Sequence, residues 1–152
     1  MQFVHESLRQ RVRFASGDAA GGLKTEVGLL GAERVMVISD SSAALAEDIV
    51  SGLPTVLRHH EVVMHVPLEV ADRARTAAVA HGVDAVVSVG GGSTTGLAKA
   101  VAMTTGLPIV AVPTTYAGSE ATPVWGLTEG GRKTTGVDPA VLPRAIVYDA
   151  TL

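Results

Sequence analysis

The apolar run Asp84-Ala85-Val86-Val87-Ser88-Val89 drives into three consecutive glycines, Gly90-Gly91-Gly92, and a helical pattern begins at once with Ser93-Thr94-Thr95-Gly96-Leu97-Ala98-Lys99. Strand, glycine turn and helix in this order present backbone N–H groups to a phosphate. Three residues without Cβ let an anion approach the main chain and permit positive φ. The helix that follows adds roughly half a positive charge at its N-terminus. A nucleotide site is the first expectation.

The rest of the chain alternates short apolar runs with helical patterns, which predicts a parallel α/β sheet. Val35 to Ile38 reads as a strand buried on both faces, followed by a helix from Ser42 to Leu53 whose inner face is Leu45, Ile49 and Leu53. His60 to Val66 reads as the next strand. A helix follows from Glu69 to His81, with Val70, Ala74, Ala77 and Ala78 on one face and Gly82 as its stop. Val83 to Val89 leads into the glycines, and the helix beyond them carries Leu97, Val101 and Ala102 inward and ends at Gly106. Pro108 to Pro113 is a strand that delivers Thr114 and Thr115 from its C-terminal end, the edge where open α/β sheets bind ligands. Arg11 to Ala15 is expected as an N-terminal strand, with Asp18 capping a helix that bears Leu23, Val27 and Leu30. Near residues 124–135, Trp125-Gly126-Leu127-Thr128 and Arg132-Lys133-Thr134-Thr135 flank Glu129-Gly130-Gly131 as a β-hairpin. Ala145 to Tyr148 is the last strand.

Composition narrows the chemistry. The 152 residues fit one domain. A net charge of −3 and 3% aromatic residues give no reason to expect nucleic acid. No apolar stretch reaches the ~20 residues of a membrane span. The absence of cysteine excludes disulfides and thiolate metal sites and fits a cytoplasmic protein. His5, His59, His60, His65 and His81 form no helical pair with an acidic partner at metal spacing, so no metal site is expected.

The glycine loop fits neither common phosphate-binding pattern. Gly91 to Gly96 has the Walker spacing, but Leu97 and Ala98 replace the lysine and hydroxyl that hold a γ-phosphate and its magnesium. The dinucleotide fingerprint needs glycine where Thr95 stands. A ligand-free strand–helix turn is the alternative reading. Asp40, just past the first strong strand, is placed to accept both ribose hydroxyls of an adenosine, to cap the next helix, or both.

Gly90 to Ala100, taken with Pro113-Thr114-Thr115-Tyr116-Ala117-Gly118-Ser119-Glu120-Ala121-Thr122-Pro123, resembles the iron-containing alcohol dehydrogenase superfamily. Trp125 to Glu129, Lys133 to Gly136 and Val141 to Arg144 extend the likeness to its maleylacetate reductase branch. The broader superfamily has Asp where Gly96 stands and a longer Thr-Gly-Thr-Gly-Ser loop where this chain has Tyr116 to Ser119. Both departures fit that branch.

The resemblance implies a Rossmann-like NAD-binding domain spanning 1–152. Gly91, Gly92 and Ser93 would cradle the pyrophosphate, Thr94 would belong to the same cofactor site, and Thr114 and Thr115 would line the cofactor. Ser119 would lie near the nicotinamide and Lys133 beside its ribose. Asp40 falls on the adenosine-ribose position, which favours NADH over NADPH. Tyr116 is the candidate for a small-molecule substrate contact. Asp149 belongs to a strand end and is not a metal ligand. Family members continue into a helical C-terminal domain that is absent here and carries the catalytic remainder, so no catalytic residue is assigned. The implied activity is NADH-dependent reduction of maleylacetate to 3-oxoadipate by a homodimer. The alternatives are a non-catalytic NAD-binding module needing a helical partner, and a fragment of an iron-containing alcohol dehydrogenase.

Overall fold

The computed structural model of the chain describes residues 1–14, 16–40 and 43–152. Among them the elements run β1 (Arg11–Phe14), α1 (Ala19–Leu29), β2 (Val35–Ser39), α2 (Ala43–Val50), β3 (Thr55–His59), α3 (Leu68–Ala80), β4 (Ala85–Gly90) and α4 (Gly92–Thr105). Then come β5 (Ile109–Pro113), a 3-10 turn at Ser119–Ala121, the hairpin β6 (Val124–Glu129) and β7 (Arg132–Val137), a 3-10 turn at Pro139–Val141 and β8 (Ala145–Tyr148). The expected Ala15 end of β1 and the Ser42 start of α2 lie outside the described residues.

Six strands form one parallel sheet in the order β1-β8-β5-β4-β2-β3. The fully buried runs Val35–Ser39, Ala85–Gly90 and Ile109–Pro113 are its centre, as near-continuous apolar sequence requires of a strand covered on both faces. One face packs Leu23 and Val27 of α1 and Ala46, Ile49 and Val50 of α2 on Val35, Val37, Val87 and Val110. The other packs Val70, Ala74 and Ala78 of α3 and Leu97 and Val101 of α4 on Met36, Ile38, Val86 and Ile109. In the hairpin, Gly130 and Gly131 both take positive φ, the twist that a two-residue turn needs. Gly136 leaves room for the Trp125 ring, which an added Cβ would strike at 2.5 Å.

Two expectations are corrected. The third strand is Thr55–His59 rather than His60 to Val66. His65 and Val66 have φ of +65° and +46°, which no strand admits. The apolar content of 60–66 serves a loop whose Val66 is buried against α3 and α4. The inner face of α2 is also rotated by one residue, because Leu45 is exposed while Ala46, Ile49 and Val50 are buried.

Asp149 joins the two ends of the domain. Its carboxylate accepts from the amides of Gly17 (2.8 Å) and Ala19 (3.1 Å) at the start of α1, and from the amide and hydroxyl of Thr151. These donors, the Gly17 amide foremost, hold its pKa down at about 2 from an ordinary 3.8. A carboxyl depressed in the folded state adds stability above its ordinary value and loses it as pH falls through the folded value. Asp149→Asn is therefore expected to melt below wild type at neutral pH, with the gap closing between about 4 and about 2. Thermal melts across that range check this, and a pH-independent gap contradicts it.

Candidate functional site

Parallel strands β2, β4 and β5 end together. Ser39 stands opposite Val89 and Gly90 opposite Pro113, so Asp40, Gly91 and Thr114 follow one another along a single sheet edge. β2 continues into α2 on one face and β4 into α4 on the other, which opens a crevice between them. Open α/β sheets bind ligands at such a switch point.

The turn from β4 into α4 is built for close approach. Gly90 has φ +149°, and a Cβ there would meet the Thr94 hydroxyl oxygen at 2.6 Å. Its carbonyl accepts from the Thr114 amide at 2.9 Å, which holds the β5 exit against the loop. Gly91 occupies the N-cap without a capping side chain. The amides of the first turn have no carbonyl to reach within the helix, and the first bond into the turn is from Thr95 N–H to the Gly91 carbonyl at 3.1 Å. The buried Thr94 hydroxyl lacks a hydrogen-bond partner among the described residues. Open amides, a buried orphan hydroxyl and glycines where side chains would intrude fit a phosphate group.

In front of the loop lies a cleft of about 620 Å³. Gly92 and Ser93 border it on the helix side, Ser119 and Trp125 opposite, and His65 and Lys133 also line it. The expected residues Gly92, Ser93, Ser119 and Lys133 thus share one cavity. Gly91 and Thr94 lie in the same turn, and half-buried Asp40 is the next position along the edge. Asp40 has interactions of its own. Thr114, Thr115 and Tyr116 instead line a neighbouring cavity of about 420 Å³ with Phe14, Tyr148 and Leu152. Gly118 borders both. Tyr116 is fully exposed.

Three features escaped the sequence reading. The strained His65–Val66 turn is clamped to the hairpin: the Thr128 amide donates to the Val66 carbonyl (3.0 Å) and the Thr128 hydroxyl to the His65 carbonyl (2.8 Å). Val66 fills the space beside Gly96, where a Cβ would stand 3.0 Å from Val66 Cγ2. Lys99 is completely buried on α4, and burial lowers its pKa to about 8 against the opposing pull of Glu120. Glu120, itself buried, accepts from the Tyr148 hydroxyl at 2.8 Å. Burial and that bond push Tyr148 up to about 12. Lysine among Leu97, Ala98, Ala100 and Val101, all apolar, was the available sign of an inward ammonium. Among the described residues no three His, Asp or Glu side chains are grouped to hold a metal ion.

The profile of the family described as iron-containing alcohol dehydrogenase matches residues 10–150. The chain belongs to the iron-containing alcohol dehydrogenase family. It is 44% identical to maleylacetate reductase 1 of Cupriavidus pinatubonensis over 99% of this chain and 43% of that protein. The crystal structure of an iron-containing alcohol dehydrogenase from Corynebacterium glutamicum superposes with a TM-score of 0.96 at 55% identity, over 99% of this chain and 43% of the other. Maleylacetate reductase from Agrobacterium tumefaciens superposes at 0.92 with 42% identity, again over 99% and 43%. The chain thus spans less than half the length of these family members.

The glycines of the turn differ in what they tolerate. Gly90→Ala is expected to cost about 1–3 kcal/mol, because it strains a backbone only glycine adopts and strikes Thr94. Gly92→Ala is expected to cost far less. Its Cβ meets only the Ala117 methyl at 3.0 Å, and that residue sits on an exposed loop. Urea unfolding of the two variants measures the difference, and equal losses contradict it.

Proposed function

We propose that this chain is the cofactor-binding half of a maleylacetate reductase, a single dinucleotide-binding domain that holds NADH. The uncapped start of α4, opening on the 620 Å³ cleft at the sheet's switch point, carries this reading. The likeness to maleylacetate reductases over the whole chain supports it. The amides of Gly91, Gly92, Ser93 and Thr94 take the pyrophosphate, with the Thr94 hydroxyl supplying a further polar contact. Lys133 and Ser119 hold the nicotinamide riboside end, and Thr114 and Thr115 flank the cofactor from the neighbouring cavity. Asp40 accepts the adenosine ribose hydroxyls and repels a 2′-phosphate. When bound, the dinucleotide supplies the hydride that reduces the carbon–carbon double bond of maleylacetate, giving 3-oxoadipate. The chain's own part is to bind and orient it. A helical domain beyond this chain provides most substrate contacts, with Tyr116 facing the substrate from this side.

The same reading gives a homodimer in the cytoplasm. The free edge of β1, with Val12 and Phe14 61% and 70% exposed, is the surface offered for association. Sedimentation at high concentration tests this, and a strict monomer counts against it. Among the described residues no helix is long and apolar enough to cross a membrane.

A second reading rests on the 55% identity to the Corynebacterium glutamicum protein, namely half of an iron-containing alcohol dehydrogenase. That reading predicts metal-dependent oxidation of simple alcohols by the full-length protein, whereas ours predicts maleylacetate-dependent oxidation of NADH. Parallel assays of both reactions decide. The purified 152-residue chain alone is expected to bind NADH without turnover, and turnover would show that no helical partner is needed. Calorimetry tests the cofactor preference. Asp40→Ala is expected to weaken NADH binding about tenfold, the loss of one charge-assisted hydrogen bond. Wild type binding NADPH as tightly as NADH contradicts the role of Asp40.

A further inference from the structure

Lys99 lies two turns into α4 from the glycine loop and is completely buried. Its ammonium donates to the carbonyls of Ser119 (2.6 Å), Val124 (2.7 Å) and Thr122 (2.8 Å), and it touches the Thr122 hydroxyl oxygen at 3.3 Å. An ammonium has three N–H donors, and three main-chain carbonyls meet them. The residues that own those carbonyls are the ones that form the far side of the cleft: Ser119, Thr122 and Val124 all line it. One helix therefore offers its first-turn amides to the near side and grips the far side with its lysine. Glu120 adds charge attraction, and its carboxylate accepts from the Tyr148 hydroxyl.

Stability alone does not account for this choice of residue. Taking an ammonium out of water is costly, and an apolar side chain of similar volume is often as stable or more so in its place. What the lysine adds is geometry. It collects three carbonyls from a segment that contains a single short 3-10 turn, beside the bonds that Gln10 and Tyr148 donate to Glu120 and the Asp138 amide donates to the Pro123 carbonyl.

We propose that Lys99 is a positioning residue of the cofactor cleft, fixing residues 119–124 at the distance from the glycine loop that a bound dinucleotide requires. This rests on the reading of the cleft as a dinucleotide site. The lysine does not touch the ligand. Its effect passes through Ser119 and the start of β6.

Amide hydrogen exchange and NADH calorimetry on wild type and Lys99→Met test it, with Leu23→Ala as the control for lost stability. Leu23 is buried on the opposite face of the sheet. Lys99→Met is expected to exchange faster in 119–126 while β2 and β4 stay protected, and to bind NADH about tenfold more weakly. Leu23→Ala is expected to keep its NADH affinity within about twofold. Wild-type affinity in Lys99→Met, or exchange that rises evenly over the chain, overturns the role. Should Lys99→Met not fold, Lys99→Gln keeps a polar group with two N–H donors in place of three. About threefold weaker binding with locally faster exchange then supports the role, and no change in either overturns it. If wild type binds neither NADH nor NADPH, the cofactor reading fails. The exchange comparison then decides alone whether Lys99 fixes the 119–124 segment.

Discussion

Gly90 leaves β4 with φ +149° and brings Thr94 back over its own backbone, so strand becomes helix within about one residue. The neighbouring features of the sheet edge are set by that turn. Because the backbone reverses so sharply, the start of α4 faces outward along the strand direction and its amides stay open. Because the Gly90 carbonyl still reaches the Thr114 amide, the exit of β5 is tied to the same point. Because Gly92 and Gly96 lack side chains, Ala117 and Val66 close in from either side. A Cβ at Gly90 would strike Thr94, whereas one at Gly91 would meet Thr115 and one at Gly92 would meet Ala117.

Much of this was legible in the sequence, and the failures share a cause. Val35 to Ile38, Val83 to Val89 and Pro108 to Pro113 were readable because they are buried on both faces, which leaves unbroken apolar runs. Among the described residues the third strand, Thr55–His59, pairs only with β2 at the edge of the sheet and is half-buried, so its pattern is mixed. The stronger apolar signal of Val62, Val63, Met64 and Val66 belongs to a loop that packs on helices, where periodicity carries no information. At the site, Gly92, Ser93, Ser119 and Lys133 line one cavity. The separation of Thr114 to Tyr116 into a second cavity depends on how the 114–118 loop folds, and no local pattern encodes that. Lys99 stood within the motif, but an inward lysine is recognised only once the carbonyls it meets are in place.

Three of the four buried charges among the described residues hold elements of this domain together, and each is satisfied in a different way. Glu26 of α1 accepts from Arg11 and Arg13 on β1, which keeps its carboxyl below the ordinary range. Asp149 takes main-chain amides, and Lys99 takes main-chain carbonyls. Each spans a junction that the apolar core alone leaves loose: helix to edge strand, last strand to first helix, and glycine helix to cleft wall. Apolar contact brings such elements together without fixing their register, whereas directional bonds to a buried charge do so.

The pairing of β1 with β8 has a consequence for how the chain acquires its fold. Among the described residues Arg11–Phe14 lies beside Ala145–Tyr148 alone, and Gly17 and Ala19 meet Asp149 across 132 and 130 residues. β1 therefore has no native partner until β8, more than 130 residues further along, has been made. Closing so long a loop is entropically slow, and contacts of this separation form late. In the interval Val12 and Phe14 sit on an unpaired strand edge, the kind of surface that invites another chain. The domain's seam is thus also its most vulnerable point during synthesis, when β2 to β5 already have their own neighbours to pair with.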